Sequence, residues 1–281
     1  MAMYKMITRS RAQTDHKQNS NMESQQSKTQ VKALLLKNSR IQADYYCAEF
    51  EVPAISSLAQ PGQFIHVQIP DLAHRVLRRP FSIYDVEGEK LRILYKVVGE
   101  GTRQLSSLSP GRELDVMGPL GRPFAPLPPN SLVVAGGYGC AATYLLARRA
   151  EVKPLVLIGG RSQADILLKQ EYEELGCKVL VSTDDGSMGM KGRVTELLVA
   201  NYAGQGWLAS CGPIPMLKAL ADVMQKLDIK GELSLDQAMC CGVGACFACV
   251  TKVKDASLPD GWRYARICAE GPVFQAEQLI F

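Results

Sequence analysis

The residues best suited to chemistry are cysteines near the C-terminus of this 281-residue chain, where five of the nine follow residue 239. Four of them have the spacing C-x4-C-x2-C, then eighteen residues, then C, which selects Cys241, Cys246, Cys249 and Cys268. This is the spacing of plant-type [2Fe–2S] ferredoxins, in which thiolates hold the irons. Gly242 and Gly244 allow the tight bend that such a loop needs. The spacing therefore predicts a [2Fe–2S] cluster with these four cysteines as ligands.

Two other uses of these cysteines stay open from the residues alone. One is a structural zinc module, although zinc loops usually contain two C-x2-C pairs or a histidine, and residues 239–281 contain no histidine. The other is a set of buried or disulfide-linked cysteines, although the absence of a secretory signal favours thiolate chemistry in a reducing compartment. Cys240 would give C-x5-C and is predicted to be a non-ligand. Cys47, Cys140 and Cys177 are predicted to be small core residues.

A glycine-rich turn, Gly-Gly-Tyr-Gly at 136–139, follows a buried-strand run at 132–135 and precedes a helical stretch. Glycines there permit a close approach of pyrophosphate to a helix N-terminus. Residues 159–162 and 210–213 follow two later strands in the same way. Because open α/β sheets bind ligands at the carboxyl ends of their strands, these loops predict a dinucleotide site. Its candidate binding residues are Gly137, Gly139, Cys211 and Gly212.

A second cofactor motif precedes these loops. Residues 78–83, Arg-Arg-Pro-Phe-Ser-Ile, place arginine beside proline in a strand-like stretch, a combination that suits a diphosphate. Residues 99–102, Gly-Glu-Gly-Thr, offer a loop of backbone N–H donors. Each motif alone is also compatible with an ordinary turn that carries a solvated charge. Together, and ahead of a nucleotide-type domain, they predict flavin binding.

The pattern of the whole chain indicates the elements that would position these motifs. Residues 31–130 contain short alternating runs between Gly and Pro turns, which predicts a barrel or sandwich. Residues 131–230 alternate strands and helices, which predicts a parallel α/β sheet with helices at 141–150, 164–175, 193–201 and 215–227. Residues 231–281 are predicted to form a small cluster domain, and the polar residues 1–30 a disordered tail.

Charge and hydropathy exclude two classes of partner. The net charge is +4, of which +3 lies in the first thirty residues, so no basic surface for nucleic acid is expected. The apolar runs, such as 132–135 and 155–158, are too short to span a bilayer, and the N-terminus has no signal-peptide core. We therefore expect a cytoplasmic protein that binds neither nucleic acid nor membrane.

These motifs together resemble the ferredoxin reductase superfamily over about residues 31–281. The similarity lies in Arg79-Pro80-Phe81-Ser82, Gly101-Thr102, Gly118-Pro119-Leu120-Gly121, the glycine turn, Cys211-Gly212-Pro213 and the cysteine cluster. Within that superfamily the chain is most similar to the electron-transfer subunits of class 1B dihydroorotate dehydrogenase. That similarity lies in Leu77-Arg78-Arg79-Pro80, Thr183-Asp184-Asp185-Gly186-Ser187, the loop from Cys241 to Cys246, and Gly271-Pro272-Val273-Phe274.

The resemblance implies a β + α/β multidomain fold with a Greek-key FAD-binding β-barrel, a Rossmann-like nucleotide-binding α/β domain and a small C-terminal [2Fe–2S] domain. It implies that nine residues hold FAD, namely Arg79, Pro80, Phe81, Ser82, Leu94, Tyr95, Lys96, Gly101 and Thr102. NAD is the expected substrate, with nicotinamide stacked on the flavin. No catalytic acid or base is expected from this chain, and neither His66 nor His74 is given such a role.

The resemblance also implies a partner and a direction of electron flow. The partner is an FMN-containing catalytic subunit that oxidises dihydroorotate to orotate in pyrimidine biosynthesis, in a heterotetramer of two subunits of each kind. Electrons would pass from FMN through the cluster and FAD to NAD+. FAD must stand between the cluster and NAD+ because flavin exchanges both single electrons and pairs.

Departures from the family pattern bear on the nucleotide and the partner. Ala141-Ala142-Thr143 stands where the family usually has a Pro-containing segment, and Asp236-Gln237 where it often has Glu, but neither removes a ligand. Arg161-Ser162 could meet the 2′-phosphate of NADP, whereas Asp184-Asp185 favour NAD, which is the prediction. The rival within the superfamily is an FAD/[2Fe–2S] subunit of a sulfide dehydrogenase, ferredoxin:NADP oxidoreductase or hydrogenase complex. Cys241 favours the dihydroorotate subunit, because one such relative has Asp in its place.

Overall fold

The first unit of the computed structural model, which describes residues 28–72 and 76–281, is a closed antiparallel barrel. Its elements are β1 (Thr29–Gln42), β2 (Tyr45–Glu51), α1 (Pro53–Ser56), β3 (Phe64–Val67), β4 (Arg79–Glu87), β5 (Lys90–Lys96), α2 (Glu100–Ser107) and β6 (Glu113–Leu120). The strand order is β1-β2-β5-β4-β3-β6. Alternate apolar side chains fill the interior, where Leu35, Phe50, Ile83 and Ile93 are fully buried. The predicted β-barrel is confirmed.

The second unit is the predicted parallel α/β sheet. Its elements are β7 (Ser131–Gly136), α3 (Cys140–Arg149), β8 (Leu155–Gly160), α4 (Lys169–Glu174), β9 (Lys178–Thr183), β10 (Met190–Lys191), α5 (Val194–Asn201), β11 (Trp207–Gly212), α6 (Ile214–Lys226) and β12 (Lys230–Leu235). The order is β10-β9-β8-β7-β11-β12, with parallel pairing throughout. Every residue of β7 is buried, as expected for a strand covered on both faces.

Three of the four predicted helices in this unit agree with the structure to within one residue at each end. The helix predicted over 164–175 is wrong in extent. The chain there forms a 3-10 turn (Gln163–Asp165) and then the six-residue α4. Leu168 separates the two pieces because its φ is +58°, a left-handed conformation that cannot continue a right-handed helix.

The C-terminal segment belongs to two sheets. Its elements are β13 (Val250–Lys254), β14 (Trp262–Arg266), α7 (Ile267–Glu270), β15 (Val273–Gln275) and β16 (Leu279–Ile280). Three strands form a small sheet of order β14-β13-β16, whereas β15 pairs antiparallel with β12 at the edge of the α/β sheet. β12 thus crosses the predicted boundary between residues 230 and 231, and β1 begins at Thr29, two residues inside the predicted tail. Residues 1–27 of that tail lie outside the described residues.

The barrel and the α/β unit pack closely against each other. The rings of Tyr84 in β4 and Tyr144 in α3 have centroids 4.8 Å apart. Arg148 of α3 forms a salt bridge with Asp85 of β4. Leu94, on the outer face of β5, is only 3% exposed because the α/β unit covers that face of the barrel. Among the described residues there is no helix with the length and apolar character needed to cross a membrane.

Candidate functional site

Arg79 and Gly101, predicted from separate motifs, lie side by side. Arg79 begins β4 and Gly101 lies in the first turn of α2. A Cβ atom on Gly101 would lie 2.9 Å from Nε of Arg79, so the guanidinium covers the start of the helix. Backbone N–H groups at a helix N-terminus and an arginine fork are the usual ligands of a phosphate. The pair can therefore bind the diphosphate of a dinucleotide.

The two adjacent arginines have different surroundings. Arg78 forms a salt bridge to Asp115 of β6 with an N–O distance of 2.7 Å and donates to the Asp115 carbonyl at 2.9 Å. Burial raises the pKa of Asp115, but hydrogen bonds from Gln30 and Arg78 outweigh it and hold the pKa below its usual value. Arg78 thus ties β4 to β6. Arg79 instead donates to the carbonyls of Leu77 and Arg78, which keeps its guanidinium beside α2.

Thr102, a predicted phosphate ligand, closes its own loop. Its hydroxyl accepts hydrogen bonds from the N–H groups of Val98 (3.0 Å) and Gly99 (3.2 Å) and donates to the Gly99 carbonyl (3.1 Å). The bond from the N-cap N–H of Gly99 to the Thr102 side chain is one half of a capping box, the half that a glycine N-cap allows, and it fixes the first turn of the helix. The hydroxyl therefore orders the phosphate loop from within.

The predicted flavin residues on β4 and β5 do not share one face. Phe81 and Tyr95 point into the barrel, where their ring centroids are 5.7 Å apart and the Tyr95 hydroxyl donates to Asn38 at 2.9 Å. Pro80 and Ser82 alternate to the outer face and are partly exposed. Pro80 and Ser82 can thus offer side chains to a ligand on the outer face of β4. Phe81 and Tyr95 can offer only their backbone, and their rings hold the strands in place.

Lys96 takes part in a polar contact between the barrel and the α/β unit, and the sequence did not indicate this contact. Its amine lies 3.5 Å from Asp165 Oδ1 and 3.2 Å from the hydroxyl of Tyr45, which in turn donates to Asp165 at 2.7 Å. Burial raises the pKa of Asp165, but the bonds from Tyr45 and Lys96 lower it further than burial raises it. The pKa of Tyr45 is raised by burial and by Asp165. A Cβ atom on Gly137 would lie 3.7 Å from the same Tyr45 hydroxyl.

The four predicted nicotinamide-nucleotide residues come together at one end of the sheet. A Cβ atom on Gly139 would collide with the Cys211 carbonyl, and one on Gly212 would lie 3.2 Å from N of Gly136. Gly137 has a φ of +54°, which favours glycine at this turn. β8, β9 and β10 extend the sheet on one side of β7, and β11 and β12 extend it on the other, so the strand order reverses between β7 and β11 and their carboxyl ends form the topological switch point. Open α/β sheets bind their ligands at that point.

Cys211 lies inside this junction as a neutral thiol. It is 3% exposed, and burial, with Asp236 nearby, raises its pKa to about 12. Tyr138, between Gly137 and Gly139 of the turn, is 43% exposed. Burial and Asp236 raise the pKa of Tyr138 as well. The residues of this crevice can bind and orient a dinucleotide, and none of them is set up as a nucleophile.

Three of the four predicted cluster ligands lie on the loop between β12 and β13, and the fourth, Cys268, lies in α7. Cys249 and Cys268 are buried, Cys241 is half-buried and Cys246 is exposed. The Cys268 N–H donates to Cys249 Sγ at 3.4 Å, and the Ile267 N–H donates to the Cys249 carbonyl at 2.7 Å. In the described residues no group of three or more His, Cys, Asp or Glu side chains is arranged so that it could hold a metal ion.

The loop geometry suits thiolates. Gly242 and Gly244 have φ values of +72° and +86°, which turns successive N–H groups inward. Burial raises the pKa of Cys241, but backbone N–H groups, beginning with that of Val243, outweigh it and lower the pKa. A donor set of four sulfurs with N–H groups directed at one of them fits an iron–sulfur cluster. Cys240 is half-buried beside them, and Cys140 and Cys177 are buried as predicted, whereas Cys47 is partly exposed.

His66 joins the cluster loop to the barrel, and sequence reasoning gave it no role. The side chain is fully buried on the outer face of β3, and a Cβ atom on Gly242 would lie 2.6 Å from its Nδ1. Neither ring nitrogen has a hydrogen-bond partner in the described part of the chain. Burial, with Arg78 and Arg79 nearby, lowers its pKa to about 4, so the imidazole is neutral. The available signal was the alternation along β3, which put His66 opposite Ile65 and Val67. His74 lies outside the described residues.

Comparison with known proteins agrees with this geometry. A chain of an NADH-dependent reduced ferredoxin-NADP oxidoreductase, solved in a study of flavin-based electron bifurcation, superposes with a TM-score of 0.77 and 28% identity over 88% of this chain and 89% of that one. The cytochrome b5 reductase domain of Ulva prolifera nitrate reductase has a TM-score of 0.60 at 20% identity, covering 72% of this chain and 94% of that one. The fold and the site thus define a flavoprotein of the ferredoxin reductase type with an iron–sulfur segment.

The sequence matches narrow the class. Residues 236–280 match the model of the iron–sulfur cluster binding domain of dihydroorotate dehydrogenase B. The dihydroorotate dehydrogenase B (NAD(+)) electron transfer subunit of Caldanaerobacter subterraneus is 38% identical over 252 residues, which cover 89% of this chain and 98% of the relative. The subunit of the same name from Shouchella clausii is 36% identical and covers 90% and 99%. The chain belongs to this family of electron transfer subunits.

Proposed function

We propose that this chain is the electron-transfer subunit of a dihydroorotate dehydrogenase and passes electrons between a partner's FMN and NAD+ through its own cluster and FAD. The observation that carries the proposal is the contact between the two candidate cofactor regions. The cluster loop packs through Gly242 on His66 of β3, and β3 pairs with the flavin motif of β4. This contact supports the proposal because it brings the proposed flavin strands and the proposed cluster loop together in one folded chain.

Each site has a defined task in this proposal. Arg79 and the first turn of α2 hold the FAD diphosphate, and the 136–139 and 211–212 loops hold NAD. Cys241, Cys246, Cys249 and Cys268 hold the [2Fe–2S] cluster, which supplies one-electron transfer when bound. FAD supplies the exchange between single electrons and the hydride of the nicotinamide. The protein contributes binding, orientation and exclusion of water, which agrees with the neutral Cys211 and His66.

The exposed end of the cluster loop supports a protein partner. Cys246 is exposed, and Val243 and Phe247 on the same loop are 38% and 60% exposed. Apolar side chains around a redox centre favour docking of another protein over contact with water. We propose an FMN-containing catalytic subunit as that partner, in a heterotetramer of two subunits of each kind, working in the reducing cytoplasm where free thiols persist.

Reconstitution tests the proposal. The purified chain is expected to bind one FAD and to contain two irons. It should absorb visible light at roughly 450 nm, whereas a zinc module would be colourless. NADH should bleach the flavin and cluster bands. Mixed with an FMN-containing dihydroorotate dehydrogenase subunit, the chain should transfer electrons from dihydroorotate to NAD+. If the isolated chain oxidised dihydroorotate by itself, the division of labour proposed here would be wrong.

The similarity to the ferredoxin-NADP oxidoreductase structure favours one second candidate, an FAD/[2Fe–2S] subunit of another NAD(P)H-dependent complex. The same preparation distinguishes the two candidates. Reduction by NADH that is never coupled to dihydroorotate oxidation, but is coupled to ferredoxin or sulfide, would favour the second. The dihydroorotate dehydrogenase function is preferred to the second candidate because the family relationship extends over most of the chain.

A further inference from the structure

His66 is a polar residue in an unusual place. It is fully buried, and both ring nitrogens lack a hydrogen-bond partner among the described residues. Leaving a buried N–H without an acceptor costs free energy that a leucine or methionine of similar size would avoid. A buried and unpaired donor of this kind points to an acceptor that the polypeptide alone does not provide.

The surroundings of His66 indicate where that acceptor belongs. Along the barrel, His66 pairs with Pro80 of the flavin motif on one side and with Met117 of β6 on the other. Its ring lies edge-on to Phe64, with centroids 6.3 Å apart. Its Nδ1 faces Gly242, the residue that follows the cluster ligand Cys241. The side of the imidazole that is turned away from the barrel therefore meets the cluster loop.

Charge also favours a sulfur acceptor there. Burial and the positive charges of Arg78 and Arg79 keep the imidazole neutral, so that one nitrogen carries a proton to donate. The groups that a bound cluster adds beside Gly242 are thiolate and sulfide sulfurs, which bear negative charge and accept hydrogen bonds. Hydrogen bonds to these sulfurs stabilise the reduced cluster and set its potential.

We propose that His66 is a positioning residue of the electron-transfer path, which seats the cluster loop on the flavin-binding strands and donates a ring N–H to a sulfur of the loaded cluster. The inference rests on the proposed function, because it needs the cluster to be present. It gives the glycine at 242 a steric reason as well, since any side chain there would collide with the imidazole. His66 thus lies between the proposed flavin and cluster regions, in contact with β4 on one side and with the cluster loop at Gly242 on the other.

The test uses the full chain loaded with FAD and iron, in three variants. His66→Leu fills the space without a donor, and His66→Gln keeps an N–H. Ile65→Val is the matched control because Ile65 immediately precedes His66 in β3 and faces the barrel core. Redox titration followed by the cluster spectrum should show a more negative potential in His66→Leu. A tenfold loss of reduced-state stabilisation corresponds to about 59 mV for one electron. His66→Gln should recover part of the shift, and Ile65→Val should show none.

A direct measurement covers the case in which His66→Leu does not fold. Wild-type protein labelled with 15N-histidine should show a nitrogen coupling to the reduced cluster in pulsed electron paramagnetic resonance, and His66→Gln should lack it. A loaded wild-type protein without this coupling would overturn the role of His66 and leave the proposed function standing, as would an unshifted potential in His66→Leu. A wild-type chain that binds no iron would overturn both.

Discussion

The contact between Arg79 and Gly101 makes the proposed flavin site sensitive to a single added methyl group. In Gly101→Ala the new Cβ would lie 2.9 Å from Nε and 3.3 Å from Nη2 of Arg79, closer than either contact normally allows. The backbone at 101 is helical and within the first turn of α2, so alanine itself is tolerated there. The guanidinium is the flexible end of a side chain and can move aside. The substitution should therefore displace Arg79 without disturbing the fold.

Gly101→Ala should change the stability of the apoprotein and its affinity for FAD in opposite directions. Replacing glycine by alanine inside a helix stabilises the apoprotein by up to about 1 kcal/mol. Loss of a charge-assisted hydrogen bond to phosphate costs roughly 1.5–3 kcal/mol, which is about a 10- to 150-fold weaker binding of FAD. We expect Gly101→Ala to keep or raise the melting temperature of the apoprotein while its affinity for FAD falls within this range, and Arg79→Ala to weaken FAD binding to a similar degree.

Titration of the apoprotein with FAD and thermal unfolding measure both quantities. Gly99→Ala is the matched control, because Gly99 lies two residues earlier in the same loop, has an extended backbone and has no atom within 4 Å of an added Cβ. It should bind FAD as the wild type does. Normal FAD affinity in Arg79→Ala would refute the phosphate role of Arg79, and normal affinity in Gly101→Ala alone would refute the steric link between the two residues.

Three further perturbations test other parts of the site. Cys246→Ser should lose iron and keep FAD. The control variant Cys240→Ser, at the cysteine predicted to be a non-ligand, should keep both, and equal iron contents in the two proteins would contradict the ligand assignment. Asp165→Asn removes the charge that pairs with Lys96 and accepts from Tyr45, and we expect about 1–3 kcal/mol less stability by chemical unfolding and slower flavin reduction by NADH in stopped flow. Asp115 has a pKa that is lower in the folded than in the unfolded chain, so it stabilises the fold above its unfolded pKa, about 3.9, and this contribution is lost as the pH falls. Asp115→Asn should flatten the acid limb of the stability curve, and an unchanged limb would exclude that role.

Local sequence patterns carried most of the fold and much of the site. The glycine turn, the arginine-proline motif and the first three cluster cysteines each lie within a dozen residues, because a tight loop constrains its own composition, and only Cys268 lies further along the chain. The strands of the α/β unit were evident for the same reason, since burial on both faces gives short continuous apolar runs. The failure at 164–175 has a local cause too, a left-handed Leu168 that no periodicity reveals.

The residues that sequence reasoning missed owe their roles to contacts across the fold. Tyr45 and Asp165 are 120 positions apart and meet only because β2 of the barrel faces the loop after β8. Lys96 was predicted to line the flavin, and no sequence pattern indicated that its amine would also contact both of them. His66 and Gly242 come from opposite ends of the chain. No window of sequence contains such a pair, so only the packing of the units shows it.

The position of the cluster segment follows from a pair of motifs that the sequence offered separately. Gly121, immediately after β6, has a φ of +78°, and a Cβ there would collide with Pro272. The Arg122 N–H donates to the Gly271 carbonyl at 2.6 Å, and β15 then pairs with β12. The C-terminal segment is thus bonded to the barrel at one point and to the α/β sheet at another, with the cluster loop between them against His66. A segment tied in this way cannot turn independently of either unit. The distance between the proposed flavin site and the proposed cluster site therefore depends on these contacts, and substitution of Gly121, which would displace Pro272, should alter it.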